Sequence, residues 1–243
     1  MSEKDTLFNE ASNTQPGSFE FNEPVVRVFS DMIERSVPGY RQLLELTPLL
    51  VRSAVTPNSR VYDLGCSLGA ATLAARRAIQ VPGVEMIGLD NSPEMVARCQ
   101  RIIAEDNSTV PVDIRVADIT EHNYQNASLC LMYFTLQFVS LNQRPGLLRR
   151  IYEGLNPGGV LLLAEKLRFE TPDEQAWMDE HHLDFKRSQG YSDLEIAKKR
   201  QAIENVLIPQ SVAEHETALK QAGFGHIHRW FQCLNFSCFV AIK

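Results

Sequence analysis

Three aspartates close three apolar runs in the first half of the chain. Asp63 lies in "RVYDLG" (60–65), Asp90 ends "VEMIGLD" (84–90), and Asp118 ends "PVDIRVAD" (111–118). Carboxylates at the carboxyl ends of successive strands suit a ligand rich in hydrogen-bond donors and positive charge. An acid at 63 can meet a cationic amine. Asp90, roughly 20 residues beyond a glycine loop, is placed to accept from both hydroxyls of a ribose. Asp118 can accept from an adenine amino group. The plainer alternative for all three is service as helix caps and turn residues.

The loop itself is "DLGCSLG" (63–69). Gly65 and Gly69 let the backbone turn tightly and approach a ligand without Cβ interference. A dinucleotide fingerprint would put glycine where Ser67 stands, and a P-loop would add a lysine. Neither is present, so a ligand without phosphates fits better, and S-adenosylmethionine has the required amine, ribose and adenine. Cys66 is expected to contribute its backbone rather than thiol chemistry.

Other reactive residue types form no constellation. The five cysteines (Cys66, Cys99, Cys130, Cys233, Cys238) show no C-x-x-C and no paired Cys/His spacing, which argues against a zinc site or disulfide scaffold and fits a reducing cytoplasm. His181 and His182 are adjacent, hence about 100° apart on a helix, with no third ligand in view; no metal is expected. Lys186-Arg187 could complement the charges of an acidic substrate, but reads rather as an ordinary exposed pair.

The elements that must position the acids follow from the pattern. Apolar runs at 60–65, 84–90, 111–118, 127–134 and 158–166 alternate with helical stretches "AATLAARRAIQ", "SPEMVARCQRIIAED" and "RPGLLRRIYEGL". Alternation of this kind builds βαβ units and a mostly parallel sheet, an α/β Rossmann-like fold. Ser92-Pro93 is a helix start, and "NPGG" (156–159) is a turn launching the fifth strand. "GFGHIHRWFQCLNFSCFVAIK" holds two strand-like runs separated by "QCLN", an antiparallel hairpin finishing the sheet. Residues 20–55 look helical, and 170–210 form a long insert; both could roof a crevice at the strand ends.

The chain is thus read as a single domain over 1–243. An N-terminal arm and helices occupy 1–55, the nucleotide-binding half 56–166, a helical insert acting as lid or dimer element 167–210, and a C-terminal helix and hairpin 211–243. Its first residues are polar, without a secretory h-region, and read as a short disordered arm. With 243 residues, 44% hydrophobic, 22% charged and a net charge of −6, the composition is that of a globular protein. No apolar run spans a bilayer and no basic face suggests RNA, so neither membrane nor direct nucleic-acid contact is expected.

The motifs D-L-G-C-S-L-G, "GLDNSPEM" and "LNPGGVLLL" resemble the class I S-adenosylmethionine-dependent methyltransferases over residues 55–165. "DMIERSVPGY", "YDLGCSLGAATL", "DNSPEM", "FTLQF", "GLNPGG", "DFKRSQGYSDLEI" and "RWFQCLNF" resemble the carboxy-S-adenosylmethionine synthase family from about residue 5 to the C-terminus. That resemblance implies conversion of S-adenosylmethionine and prephenate to carboxy-S-adenosylmethionine and phenylpyruvate, for wobble-uridine modification of tRNA. The chemistry is reasonable: a sulfonium acidifies its methyl hydrogens, and prephenate loses carbon dioxide and hydroxide as it aromatises. Hydroxide, or a base it generates, could take the methyl proton, so the chain need only hold the partners close and exclude water.

The resemblance further implies cofactor contacts from Tyr40, Asp63, Gly65, Cys66, Ser67, Asp90, Asn91, Asp118 and Ile119. It assigns Arg200 to the new carboxylate, reached from the partner subunit of a homodimer. No catalytic side chain is assigned. One departure stands out: Tyr133 occupies the place where the family has asparagine, two residues before "TLQF". Two other readings stay open, a conventional methyltransferase of a small molecule and a non-catalytic S-adenosylmethionine-binding partner of a tRNA-modifying enzyme.

Overall fold

In the computed structural model, which describes residues 4–7, 22–203 and 206–243, the apolar runs become seven strands of one sheet. They are β1 (Arg60–Leu64), β2 (Glu85–Asp90), β3 (Val112–Val116), β4 (Ala127–Tyr133), β5 (Leu155–Lys166), β6 (His226–Cys233) and β7 (Phe236–Ile242), in the order β3-β2-β1-β4-β5-β7-β6. The first five are parallel; β7 runs antiparallel between β5 and β6. The expected disordered arm falls largely on residues 1–3 and 8–21, outside the described residues.

Period-2 alternation puts two apolar sets on opposite faces of the sheet. Tyr62, Leu64, Cys130, Met132, Leu161 and Leu163 join one core. Val61, Leu129, Leu131, Val160 and Leu162 join the other. Both faces are covered by helices, which is why these strands read as nearly unbroken apolar runs.

The helices are α1 (Glu23–Glu34), α2 (Tyr40–Ala54), α3 (Ala70–Arg76), α4 (Pro93–Ala104), α5 (Arg144–Gly154), α6 (Pro172–Ser188), α7 (Asp193–Ile203) and α8 (Val212–Ala222). Ser92 caps α4, its hydroxyl accepting from the Met95 N–H at 3.1 Å, with Pro93 in the first turn. Among the described residues, no helix is long and apolar enough to cross a membrane.

Three boundaries differ from the sequence reading. β3 ends at Val116, so Asp118 stands in the following loop rather than at the strand end. "NPGG" is absorbed into an irregular start of β5: the pairing with β4 slips between Ala127 and Leu129, and Gly158 takes φ +75°. The hairpin turn is shorter than "QCLN", because Gln232 and Cys233 extend β6 and pair with Ser237 and Phe236. Leu234, at φ +49°, then makes the reversal.

Candidate functional site

A cavity of about 900 Å³ opens at the carboxyl ends of β1, β2 and β4. Every expected cofactor-contact residue lines it: Tyr40, Asp63, Gly65, Cys66, Ser67, Asp90, Asn91, Asp118 and Ile119. Arg200 does not. It lies exposed on α7, outside the cavity of its own chain.

The glycine loop is held from below and from the side. Main-chain N–H groups of Gly65 and Cys66 both donate to the Leu89 carbonyl, at 2.8 and 3.0 Å. Gly65 has φ +73°, and a Cβ there would collide with the Thr135 side chain. Glycine is therefore required by conformation and by space. Ser67 takes the left-handed conformation without being glycine, at φ +49°. Its N–H donates to Asp90 Oδ2 at 2.9 Å, while Asp90 Oδ1 accepts from the Ser92 N–H at 2.9 Å. Asp90 thus fastens the loop to the start of α4. Burial raises its carboxyl above the ordinary value, and the main-chain donors of Ser92, Ser67 and Asn91 oppose the rise.

Asp63 sits within β1, one residue inside its end, and is buried. It accepts from the Thr72 hydroxyl at 2.5 Å. Burial pushes its carboxyl up to about 6, with the Asp90 charge adding to the rise. Asp118 is exposed, and its Oδ1 accepts from both the main chain and the hydroxyl of Thr120, at 2.8 and 2.7 Å. It therefore serves as a turn residue as well as a cavity wall. The Ile119 carbonyl accepts from the Tyr124 hydroxyl at 2.6 Å, and the buried Ile119 lines the cavity. Asn91 is exposed at the rim.

Cys66 packs its side chain among Val96, Cys99, Ile103 and Ile114. Its thiol is held far above the thiolate range, chiefly through Cys99 and burial. Its main chain is engaged within the loop, the N–H on the Leu89 carbonyl and the carbonyl accepting from the Gly69 N–H at 2.8 Å. Tyr40 begins α2, its ring 6.1 Å from that of Phe134. Burial, with Asp63 and Glu34 nearby, raises its hydroxyl. Tyr133 ends β4; its hydroxyl shares a hydrogen bond with Thr47 Oγ1 at 2.9 Å, so the side chain is anchored toward α2.

The sequence reading named Lys186 and His182 but did not assemble the opposite wall. Lys166 at the end of β5, His182 and Lys186 on α6, and Lys199 on α7 all face the cavity. His182 is buried, with Nε2 against the Ser36 carbonyl at 2.8 Å and Nδ1 near Asn235 Nδ2 at 3.3 Å. His181 turns outward and stacks on Trp177, the ring centroids 3.9 Å apart. The "TLQF" segment also lines the cavity through Thr135, Gln137 and Phe138. It is held by Glu165, whose Oε1 and Oε2 accept from the Leu136 and Gln137 N–H groups at 2.8 and 3.0 Å. In the sequence, "AEK" at the end of the fifth strand was the available signal: an acid in an apolar strand, buried only where donors meet it.

The sheet order, the glycine loop after β1 and the acids beyond it define the class I S-adenosylmethionine-dependent methyltransferase fold. A methyltransferase domain family matches residues 61–159. The same fold is shared, at TM-score 0.61 and 21% identity, by the S-adenosylmethionine-dependent methyltransferase SibL in its apo form, over 91% of this chain and 58% of that one. Whole-length relatives are more specific. The carboxy-S-adenosyl-L-methionine synthase of Shewanella amazonensis is 52% identical over 241 residues, covering 99% of both chains. That of Klebsiella pneumoniae strain 342 is 48% identical over 243 residues, 100% of this chain and 98% of its own. This chain belongs to the carboxy-S-adenosyl-L-methionine synthase family.

Proposed function

We propose that this chain converts S-adenosyl-L-methionine and prephenate to phenylpyruvate and carboxy-S-adenosyl-L-methionine, the latter serving wobble-uridine (5-oxyacetyl uridine) modification in tRNA. One observation carries the reading: a single cavity sets Asp63, Asp90 and Asp118 on one wall and Lys166 and Lys186 on another. An acidic wall suits the ammonium, sugar hydroxyls and adenine amino group of S-adenosyl-L-methionine. A basic wall suits a carboxylated second substrate.

The loop fits the first ligand. It has a close backbone approach at Gly65 and carboxylates at Asp63 and Asp90, and no phosphate-binding lysine stands among residues 63–69. S-adenosyl-L-methionine supplies methyl hydrogens acidified by its sulfonium, and prephenate supplies carbon dioxide as it aromatises. In this reading Asp90 accepts from the ribose, Asp63 meets the amine, and Asp118 and Ile119 hold the adenine. Residues of α1, α6 and α7 line the cavity from outside the sheet, which limits water at the reacting atoms.

Arg200 enters from the second subunit of a homodimer to hold the new carboxylate. Its support is placement: it is exposed, forms no hydrogen bond or ion pair among the described residues, and lies close enough to Lys186 and Lys166 for its charge to act on both. The enzyme acts in the cytoplasm and reaches tRNA only through its product. Incubation with S-adenosyl-L-methionine and prephenate, read by mass spectrometry, tests the proposal. A product heavier than S-adenosyl-L-methionine by one carbon dioxide is expected. S-adenosylhomocysteine in its place would make the chain a conventional methyltransferase. Two unchanged ligands would make it a binding protein.

A further inference from the structure

Three lysines face one cavity, but only one of them has partners there. Lys199 Nζ donates to Ser36 Oγ at 2.8 Å and lies 3.5 Å from Asp5 Oδ2. It belongs to a buried group in which Asp5 also bonds the Tyr191 hydroxyl, and Arg35 pairs with Asp31 at 3.1 Å. That lysine is neutralised where it stands. Lys166 and Lys186 make no side-chain hydrogen bond and no ion pair among the described residues. Asp179 is the acid whose charge reaches them, from more than salt-bridge distance.

Adjacent positions on α6 have opposite fates. Arg187 is exposed and paired with Asp184 at 2.7 Å and Asp193 at 2.8 Å. Lys186, one residue earlier, turns into the cavity. The expectation that Lys186-Arg187 is an ordinary surface pair therefore holds for the arginine and fails for the lysine. Helical rotation of about 100° separates the two side chains.

Two desolvated ammonium groups facing one cavity, with no carboxylate at salt-bridge distance from either among the described residues, are unfavourable. Burial and the charges of Lys199, Lys166 and Arg200 push Lys186 down to about 7. Burial and Arg200 lower Lys166, against the pull of Asp179. An arrangement that repels itself is relieved by a bound anion. The acids of the opposite wall would repel that anion, so it is confined to the lysine side.

We propose that Lys186, with Lys166 beside it, is the anchor that binds and orients the carboxylates of the acidic second substrate. This rests on the two-substrate reading above. Lysine suits the task because a point charge on a flexible stem can follow a carboxylate as its substrate changes shape.

The test uses the full-length enzyme and the variants Lys186→Met, Lys166→Met and Lys186→Arg. Prephenate is titrated calorimetrically into protein saturated with S-adenosylhomocysteine, and its KM is measured in the product assay. Lys186→Met should weaken prephenate about 10- to 100-fold, as for one lost charge-assisted contact, while S-adenosyl-L-methionine binds within about twofold of the parent. Lys186→Arg should recover part of the loss. Lys186→Met without ligand should also melt at a higher temperature, since a half-buried cation with no salt-bridge partner among the described residues has been removed; a lysine retained for structure would lower it. Prephenate affinity unchanged in both methionine variants overturns the proposal and leaves the reaction standing. Parent protein that binds prephenate through Lys186 yet yields no carboxylated product overturns the reaction and leaves the anchor standing.

Discussion

Asp90→Asn separates two duties that one carboxylate performs. Oδ2 accepts from the Ser67 N–H and Oδ1 from the Ser92 N–H, each at 2.9 Å. An amide offers one acceptor oxygen, so one of these donors must face an NH₂ group. Losing a partly buried main-chain hydrogen bond costs about 1–3 kcal/mol of stability. Release at Ser67 also frees a left-handed serine at φ +49°, so the loop relaxes away from its binding shape. The ligand loses in addition a charged acceptor for its sugar hydroxyls, about 1.5–3 kcal/mol, or roughly 10- to 150-fold in Kd. Urea denaturation measures the first effect and calorimetry with S-adenosyl-L-methionine the second. Both should fall together. A variant that loses stability but binds the ligand within about twofold of the parent would refute the ribose role and leave Asp90 a loop fastener only. Asp90→Ala removes every acceptor at once and cannot make this distinction.

Further outcomes follow from other sites. Arg200→Ala should keep S-adenosyl-L-methionine binding and lose carboxylated product by mass spectrometry; an unchanged yield would remove Arg200 from the site. Burial raises Asp63 to about 6, so its charge is present above that pH and lost below it. Affinity for S-adenosyl-L-methionine should therefore decline as pH drops from about 7.5 to about 5, and Asp63→Asn should flatten the profile; a flat profile in the parent excludes the amine contact. Buried His215 has neither ring nitrogen hydrogen-bonded among the described residues, and burial, then Arg144, lowers it to about 4. Its folded pKa lies below the unfolded value of about 6.5, so the unfolded chain binds the proton first and the protein loses stability as pH falls from about 6.5 to about 4. His215→Phe should stabilise by about 1–3 kcal/mol near neutral pH, with a gap that widens on acidification; equal slopes in denaturation series would contradict the assignment.

Much of the acidic wall was legible because local chemistry dictates it. Gly65 needs a left-handed backbone wherever a strand turns tightly into a loop, and Asp90 ends an apolar run at the expected interval. Asp118 was misplaced by two residues because a continuing run of polar and apolar residues resembles strand until pairing partners run out. Tyr133 was legible as a departure, but its hydrogen bond to Thr47 joins residues 86 positions apart. Glu165 drew no notice within its apolar run, and only the "TLQF" turn folding back onto it supplies the donors that justify its burial.

Local pattern was enough for the parallel α/β class, the glycine loop, the start of α4 at Ser92-Pro93 and the existence of a terminal hairpin. These depend on periodicity, backbone freedom and capping, which act within a few residues. Tertiary structure alone decided that β7 lies between β5 and β6, because a hairpin pattern does not say which strand meets the sheet. It alone decided that Lys186 turns inward while Arg187 turns out, and that Lys199 is neutralised by Asp5 from the other end of the chain. Charges in a sequence carry no sign of their solvation; packing sets which of them lose water, and which then require a partner.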